Sequence, residues 1–360
     1  MIELEQHPSA SGGHASDVAE GWTRAQPEDQ DAAELTALLR RHEERGRGWS
    51  SGTEDGVLVE ISRDEAARRR NLVLCDPAGA ARGWATTFDR VAGRMLFTMV
   101  VDPRLDDSPD DSPDDSPDDL LAHRVAELLL EWGEETATTV GAERGLATQQ
   151  IDSGAFAADV RQQRWLARAG FSLVRTWWQM TRPVGPGDDG LPGPKPGVRI
   201  RLVERAGSGM PDEDDLLAVH DILEEAFADH FNAHAETFVE FLARLREDPG
   251  HRWDHWWLAE LLDAPEPAPV GTLVGSVTGE DTSRDSYVEY LGVLEAARGR
   301  GVAKALLNTI IGDAAERGLG EVGLEVDADS PTGADRLYLA MGWKTKYVTQ
   351  SWHRDVPVTD

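Results

Sequence analysis

The chain has 360 residues, 40% of them hydrophobic, and a formal net charge of −30, so two cores of about 150 residues each are expected. Such acidity argues against nucleic acid or an anionic membrane as a partner, and no run approaches the ~20 apolar residues that a membrane span requires. A single cysteine, Cys75, excludes an internal disulfide. The first twenty residues are polar and read as a disordered lead without a secretory signal, so a cytoplasmic location is expected. Two readings of the acidity stand side by side. One is a solvated surface that aids solubility; the other is a field that steers a cationic substrate into a negative cleft.

In chain order, "NLVLCDP" is an apolar, strand-like run in which Cys75 reads as a buried structural thiol. The apolar strand "MLFTMVV" (95–101) leads into "DPRLDDSPDDSPDDSPDD" (102–119), with nine Asp in all, of which 106–119 reads as a solvated, disordered insertion. "WLARAGFSLVRTWWQM" (165–180) reads as a helix end, Gly170 as a left-handed cap, an inward aromatic and a strand. The Pro/Gly-rich stretch 182–200 cannot hold a helix or a central strand. It divides the chain into domains 1–183 and 198–360, with a linker over 184–197.

The second half opens with strand "VRIRLVE" and two helices, over 215–231 and 235–245. Three strands follow at 256–262, 269–277 and 286–294, then a helix "VAKALLNTIIGDAAERG" with Leu306, Ile310 and Ala314 on one face. Strand "EVGLEVD", a short helix and a final strand close it. "LYLAMGWKTKYVTQSW" (337–352) repeats the 165–180 pattern, and "AERGL" occurs at both 142–146 and 315–319. Two matches in the same order indicate a duplicated α/β unit, with helices flanking a mixed sheet.

Residues 290–307, "YLGVLEAARGRGVAKALL", take a buried strand directly into Arg298-Gly299-Arg300-Gly301-Val302-Ala303 and then a helix. Glycines allow backbone N–H groups to converge, and a helix N-terminus favours an anion. Two arginines add charge suited to phosphate. The stretch therefore reads as a pyrophosphate cradle, although it matches neither a Walker loop nor a G-x-G-x-x-G dinucleotide loop.

Those six residues, with "LEVDADSPTGADRLYLAMGW" (324–343) downstream, resemble the GNAT superfamily of acetyl-CoA-dependent N-acetyltransferases. The order of elements extends the resemblance over 198–360, and the paired plan resembles the mycothiol synthase family. The resemblance implies two tandem domains, each a central mixed, mostly antiparallel sheet flanked by helices. It implies acetyl-CoA at Arg298, Gly299, Arg300, Gly301, Val302, Ala303 and Ser330, with Leu291 and Val293 along the pantetheine arm. Glu295 replaces a common Pro and Ser330-Pro331 a common Asn; neither change removes a backbone donor from the cradle.

An amine must be neutral to attack a thioester, so the site needs a proton acceptor and then a donor for the leaving sulfur. Glu289, two residues before Leu291, is expected on the same strand face and is the first choice as base. Asp285 has the same parity but lies further off. Tyr338 sits where the family's proton-donating Tyr falls. His230 and His234, four residues apart, lack a completing ligand cluster. No metal is expected there, and by resemblance the two histidines border the acceptor. "RWDHWW" (252–257) reads as core, with a Trp available to the pocket.

The expected function is acetyl transfer from acetyl-CoA to a small-molecule primary amine, by direct attack in a ternary complex within the second domain. Acetylation of a peptide or protein and a non-catalytic acyl-CoA-binding regulator are the alternatives. Aligning the halves on their fourth strands sets Asp106 at the place of Arg298, and aligning Gly170 with Gly342 sets Leu166 at the place of Tyr338. The first domain is therefore expected to bind no acetyl-CoA and to act as a structural partner bordering the acceptor site.

Overall fold

The computed structural model describes residues 19–62, 68–90, 93–105, 117–205, 210–228, 236–247, 251–263, 266–278, 284–329 and 333–358. The first half runs β1 (Thr23–Ala25), α1 (Ala32–Arg47), α2 (Glu54–Ile61), β2 (Arg69–Cys75), β3 (Ala81–Asp89) and β4 (Arg94–Val101). It continues with α3 (Pro117–Glu143), β5 (Thr148–Phe156), α4 (Val160–Arg168) and β6 (Ser172–Pro183). The second half opens with β7 (Val198–Leu202), α5 (Glu213–Phe227), α6 (Phe238–Glu247), β8 (His251–Leu261), β9 (Ala268–Thr278) and β10 (Asp285–Val293). It closes with α7 (Val302–Glu316), β11 (Glu321–Asp327), α8 (Ala334–Ala340) and β12 (Lys344–Pro357). The order of strands and helices is the same in both halves, as the repeated segments require. Strand β8 begins five residues earlier than its apolar run, because "HRWDH" extends the ladder towards β9.

Local chemistry sets the boundaries. Thr53 caps α2 by accepting from the Gly56 N–H, Asp159 caps α4, and Asp212 caps α5. Gly145 and Gly318, which end the two "AERGL" segments, are left-handed, with φ of 66° and 70°. Gly170 and Gly342 are left-handed too, and the aromatic after each, Phe171 or Trp343, is buried.

All the strands join one twelve-stranded sheet in the order β1-β2-β3-β4-β5-β12-β6-β11-β10-β9-β8-β7. Only β4–β5 and β10–β11 are parallel. The last strand of each half is exchanged: β12 lies against β5 of the first half, and β6 lies against β11 of the second. The two meet along the centre. A division at the linker therefore follows the chain but not the sheet. Trp352 and Val356 fill the first half's core, and Met180 fills the second's.

Trp178 pairs with Val348, so the core around α3 and α4 and the core around α7 share one face of the sheet. Helices α1, α2, α5 and α6 pack on the opposite face. On that second face α1 reaches β12 only at its own end, through Arg47 and Tyr347, and the described helices pack chiefly on the strands to either side of β6 and β11. The result is a central trough between α1 and α5. Cys75 is half-buried, and burial with nearby Glu34 raises its thiol pKa, consistent with a structural role. Most of the DDSP insertion, 106–116, and the first eighteen residues lie outside the described residues.

Candidate active site at the parting of two parallel strands

Strands β10 and β11 keep three register pairs, Ser286 to Val288 with Val322 to Leu324, and none beyond. The next residue on each side is a glutamate, Glu289 or Glu325, so two carboxylates flank the point where the strands separate. The separation has a local cause. Register against β9 passes from Val288–Gly275 to Tyr290–Val274, which leaves Glu289 as an extra residue in β10. A bulge of this kind bends a strand and re-aims its side chains.

The bulge corrects the expected shared face of Glu289 and Leu291. Leu291 and Val293 pack into the α7-side core, whereas Tyr290 and Gly292 face α5. The Glu289 carboxylate instead accepts a 2.5 Å hydrogen bond from the Ser276 hydroxyl. Ser276 is the ladder partner of Tyr287, so Glu289 lies on the trough side. Simple alternation failed here because the period of two does not survive an inserted residue.

Four strands converge in the trough on Gln179. The Tyr287 hydroxyl donates to its Oε1 at 3.3 Å. Its Nε2 donates to Thr349 Oγ1 at 3.1 Å and to the Glu325 carboxylate. Glu325 opens to solvent at the mouth of the trough, yet the surrounding protein raises its pKa by desolvation. The Gln179 hydrogen bond opposes that rise and the charge of Asp327 adds to it. Tyr287 is pushed well above the ordinary phenol value by burial, then by Glu325 and Glu289. The first half supplies one wall. Arg47 lies 3.8 Å from the Trp49 ring centroid and donates to the Tyr347 hydroxyl at 3.0 Å.

Downstream of β10 the Arg298–Ala303 segment makes a glycine turn that runs directly into a helix. Gly299 and Gly301 are left-handed at φ 77° and 80°, and α7 starts at Val302 with no side-chain cap. The N–H groups of Gly299, Gly301, Val302 and Ala303 meet no acceptor among the described residues. This is the donor set that a pyrophosphate fits. Arg298 is exposed, whereas Arg300 is paired with Asp263. Tyr338 lies in the α7-side core against Trp343, 6.0 Å between centroids, and burial pushes its pKa up to about 12. Asp285 accepts from the Glu321 N–H at the far end of β10, away from the parting. Of the expected tryptophans, Trp256 and Trp257 are core residues on opposite faces of the sheet, and Trp253 is half-buried beside Trp256. His230, His234 and Ser330 lie outside the described residues.

Sequence reasoning missed Gln179, Tyr287 and Glu325. Gln179 reaches the second half only through the strand exchange, which leaves no local signal. Glu325, an acid inside the alternating run "VGLEVD", could have been flagged by its parity.

In the first half, the equivalent strand end is closed by charge. Asp102, fully buried, accepts from Arg41 at 3.1 and 3.0 Å, from Arg82 at 2.9 Å and from the Arg104 N–H. No glycine turn follows it; Pro103–Leu105 make a single 3-10 turn.

Residues 216–343 match the model of the acetyltransferase (GNAT) family. A mycothiol acetyltransferase from Thermobispora bispora is 32% identical over 200 residues, covering 53% of this chain. The chain spans about three fifths of that relative, 61% of its length. A GCN5-related N-acetyltransferase from Sphaerobacter thermophilus superposes with a TM-score of 0.72 at 24% identity, over 94% of this chain and 97% of its own. A tandem GNAT protein from the clavulanic acid biosynthesis pathway gives 0.65 at 12% identity, over 94% and 100%. These two likenesses establish the fold of the whole described chain.

Proposed function

We propose, from the match of residues 216–343 to the GNAT acetyltransferase model, that the chain transfers an acetyl group from acetyl-CoA to the primary amine of a small molecule bound in the trough. The observation that carries the reading is the parting of β10 and β11 at Glu289, directly upstream of the glycine cradle. The cradle holds the pyrophosphate of the donor, and its thioester supplies the activated acetyl group.

The chain's own groups divide the remaining work. Alkyl amines are mostly protonated at neutral pH, with a pKa near about 10.4. Glu289, oriented by Ser276, takes the proton directly or through one water. Glu325, across the parting, favours a cationic acceptor in the same trough. The Tyr338 hydroxyl stays protonated at its pKa of about 12. An alkyl thiol, at about 8.5, is the stronger acid. Tyr338 therefore stabilises the departing sulfur by hydrogen bonding, and the proton comes from the newly acylated nitrogen. In this reading attack is direct, in a ternary complex, with the amine in the trough and the donor on the cradle meeting where β10 and β11 part.

The open trough, walled by both halves, favours a free amine over a protein terminus. The test is thiol release from acetyl-CoA over a panel of amines, including cysteinyl-glucosaminyl-inositol, and of peptides. Turnover with free amines and none with peptides supports the proposal. Turnover with peptides alone supports the other enzyme class, and CoA binding without any turnover supports a regulatory protein.

A further inference from the structure

The connector between the halves is fixed rather than loose. Pro192 C=O accepts from Asn308 Nδ2 on α7 at 2.8 Å, Lys195 C=O accepts from the Val198 N–H at 3.1 Å, and Gly197 C=O accepts from the Leu262 N–H at 2.9 Å. Asp188, held by Arg182 at 3.1 and 2.7 Å, anchors its start. This path lays Lys195 along the cradle. A β-carbon at Gly301 would stand 3.3 Å from Lys195 Cε and 3.8 Å from its Nζ. Lys195 is exposed, is one of only four lysines in the chain, and makes no ion pair among the described residues.

Charge gives the arrangement its meaning. A polyanionic donor approaching a chain of net charge −30 is repelled unless local cations offset the field. The loop's own Arg300 is already committed to Asp263. We propose that Lys195 supplies its ammonium to the pyrophosphate held by the Arg298–Ala303 loop, so that the interdomain connector is part of the donor-binding site. The inference rests on the reading of that loop as an acetyl-CoA site.

Calorimetric titration with CoA and with dephospho-CoA, on the full chain, tests it. Lys195→Ala is expected to weaken both ligands by about tenfold, the size of one charge-assisted contact partly open to water. Lys195→Glu should weaken them further, and Lys195→Arg should restore most of the affinity. Lys344→Glu, an exposed lysine elsewhere on the chain, should change neither. Unaltered CoA affinity in Lys195→Glu would overturn the proposal, as would a loss seen with CoA but not with dephospho-CoA, which would place the lysine at the 3′-phosphate. Failure of the unsubstituted chain to bind CoA would instead sink the acetyl-CoA reading, and this inference with it.

Discussion

Lowering the pH from 7 to 5 should destabilise the first half through His42. This residue on α1 is 6% exposed and packs against Phe156, 5.8 Å between centroids. Burial, then the charges of Arg161 and Arg47, lower its pKa from 6.5 to about 4, against a hydrogen bond to Val101 that raises it. A depressed pKa means that the unfolded chain binds the proton first. The stabilisation is therefore present above pH 6.5 and is lost as the pH falls towards about 4. The shift corresponds to about 2 kcal/mol lost between pH 7 and pH 5, and about 3 kcal/mol in full. The assay is urea unfolding at both pH values for the unsubstituted chain and for His42→Leu, which cannot titrate. The difference in their pH sensitivity isolates His42 from the many carboxylates. Equal losses in the two proteins would refute the reasoning. Because Arg47, which walls the trough, also lies over the Phe156 ring that His42 packs against, acetyl transfer should fall over the same pH interval.

Gly301→Ala puts a side chain at φ 80°, which should lower stability by about 1–2 kcal/mol and weaken CoA binding; chemical unfolding and calorimetry read the two effects. Glu325→Gln removes a carboxylate whose pKa is raised. The native carboxylate's contribution is lost as the pH rises through that value, so the variant should melt higher than the parent at pH 7 and equally near pH 4. Differential scanning calorimetry at the two pH values checks it. Asp102→Asn leaves Arg41 beside a weakened acceptor and Arg82 with Asp76 as its remaining carboxylate, and should cost about 2 kcal/mol, measured as a lower urea midpoint with an unchanged slope.

The duplicated plan could be read from the chain because each signal is local. "AERGL", Gly170 and Gly342 are helix ends that need a left-handed residue wherever the helix packs, and the structure provides it at each. The left-handed turn at Gly299 and Gly301 was legible for the same reason, since glycines before a helix constrain only their own backbone. What escaped was non-local or irregular. Nothing in "WWQM" says that Gln179 will sit among residues of the other half, because strand exchange depends on which sheet edge is open. On β10 itself the bulge at Glu289 involves no glycine or proline, and the Gly275 opposite it lies on β9, so the alternation that aligned Glu289 with Leu291 had nothing in its own strand to interrupt it. Tyr338 does lie on the short helix its sequence indicates, but its burial against Trp343, and with it the raised pKa, follows from packing that the sequence does not display.

The central claim is that Glu289, at the parting of the strands, takes the proton from an amine attacking acetyl-CoA. Its most direct test is the pH dependence of thiol release by Glu289→Gln, with the best amine of the panel at saturating acetyl-CoA. The expected result is a fall in kcat of about 100-fold at neutral pH, recovered in part at alkaline pH where the amine is already neutral, with CoA affinity unchanged. Full kcat with an unaltered pH profile would contradict it.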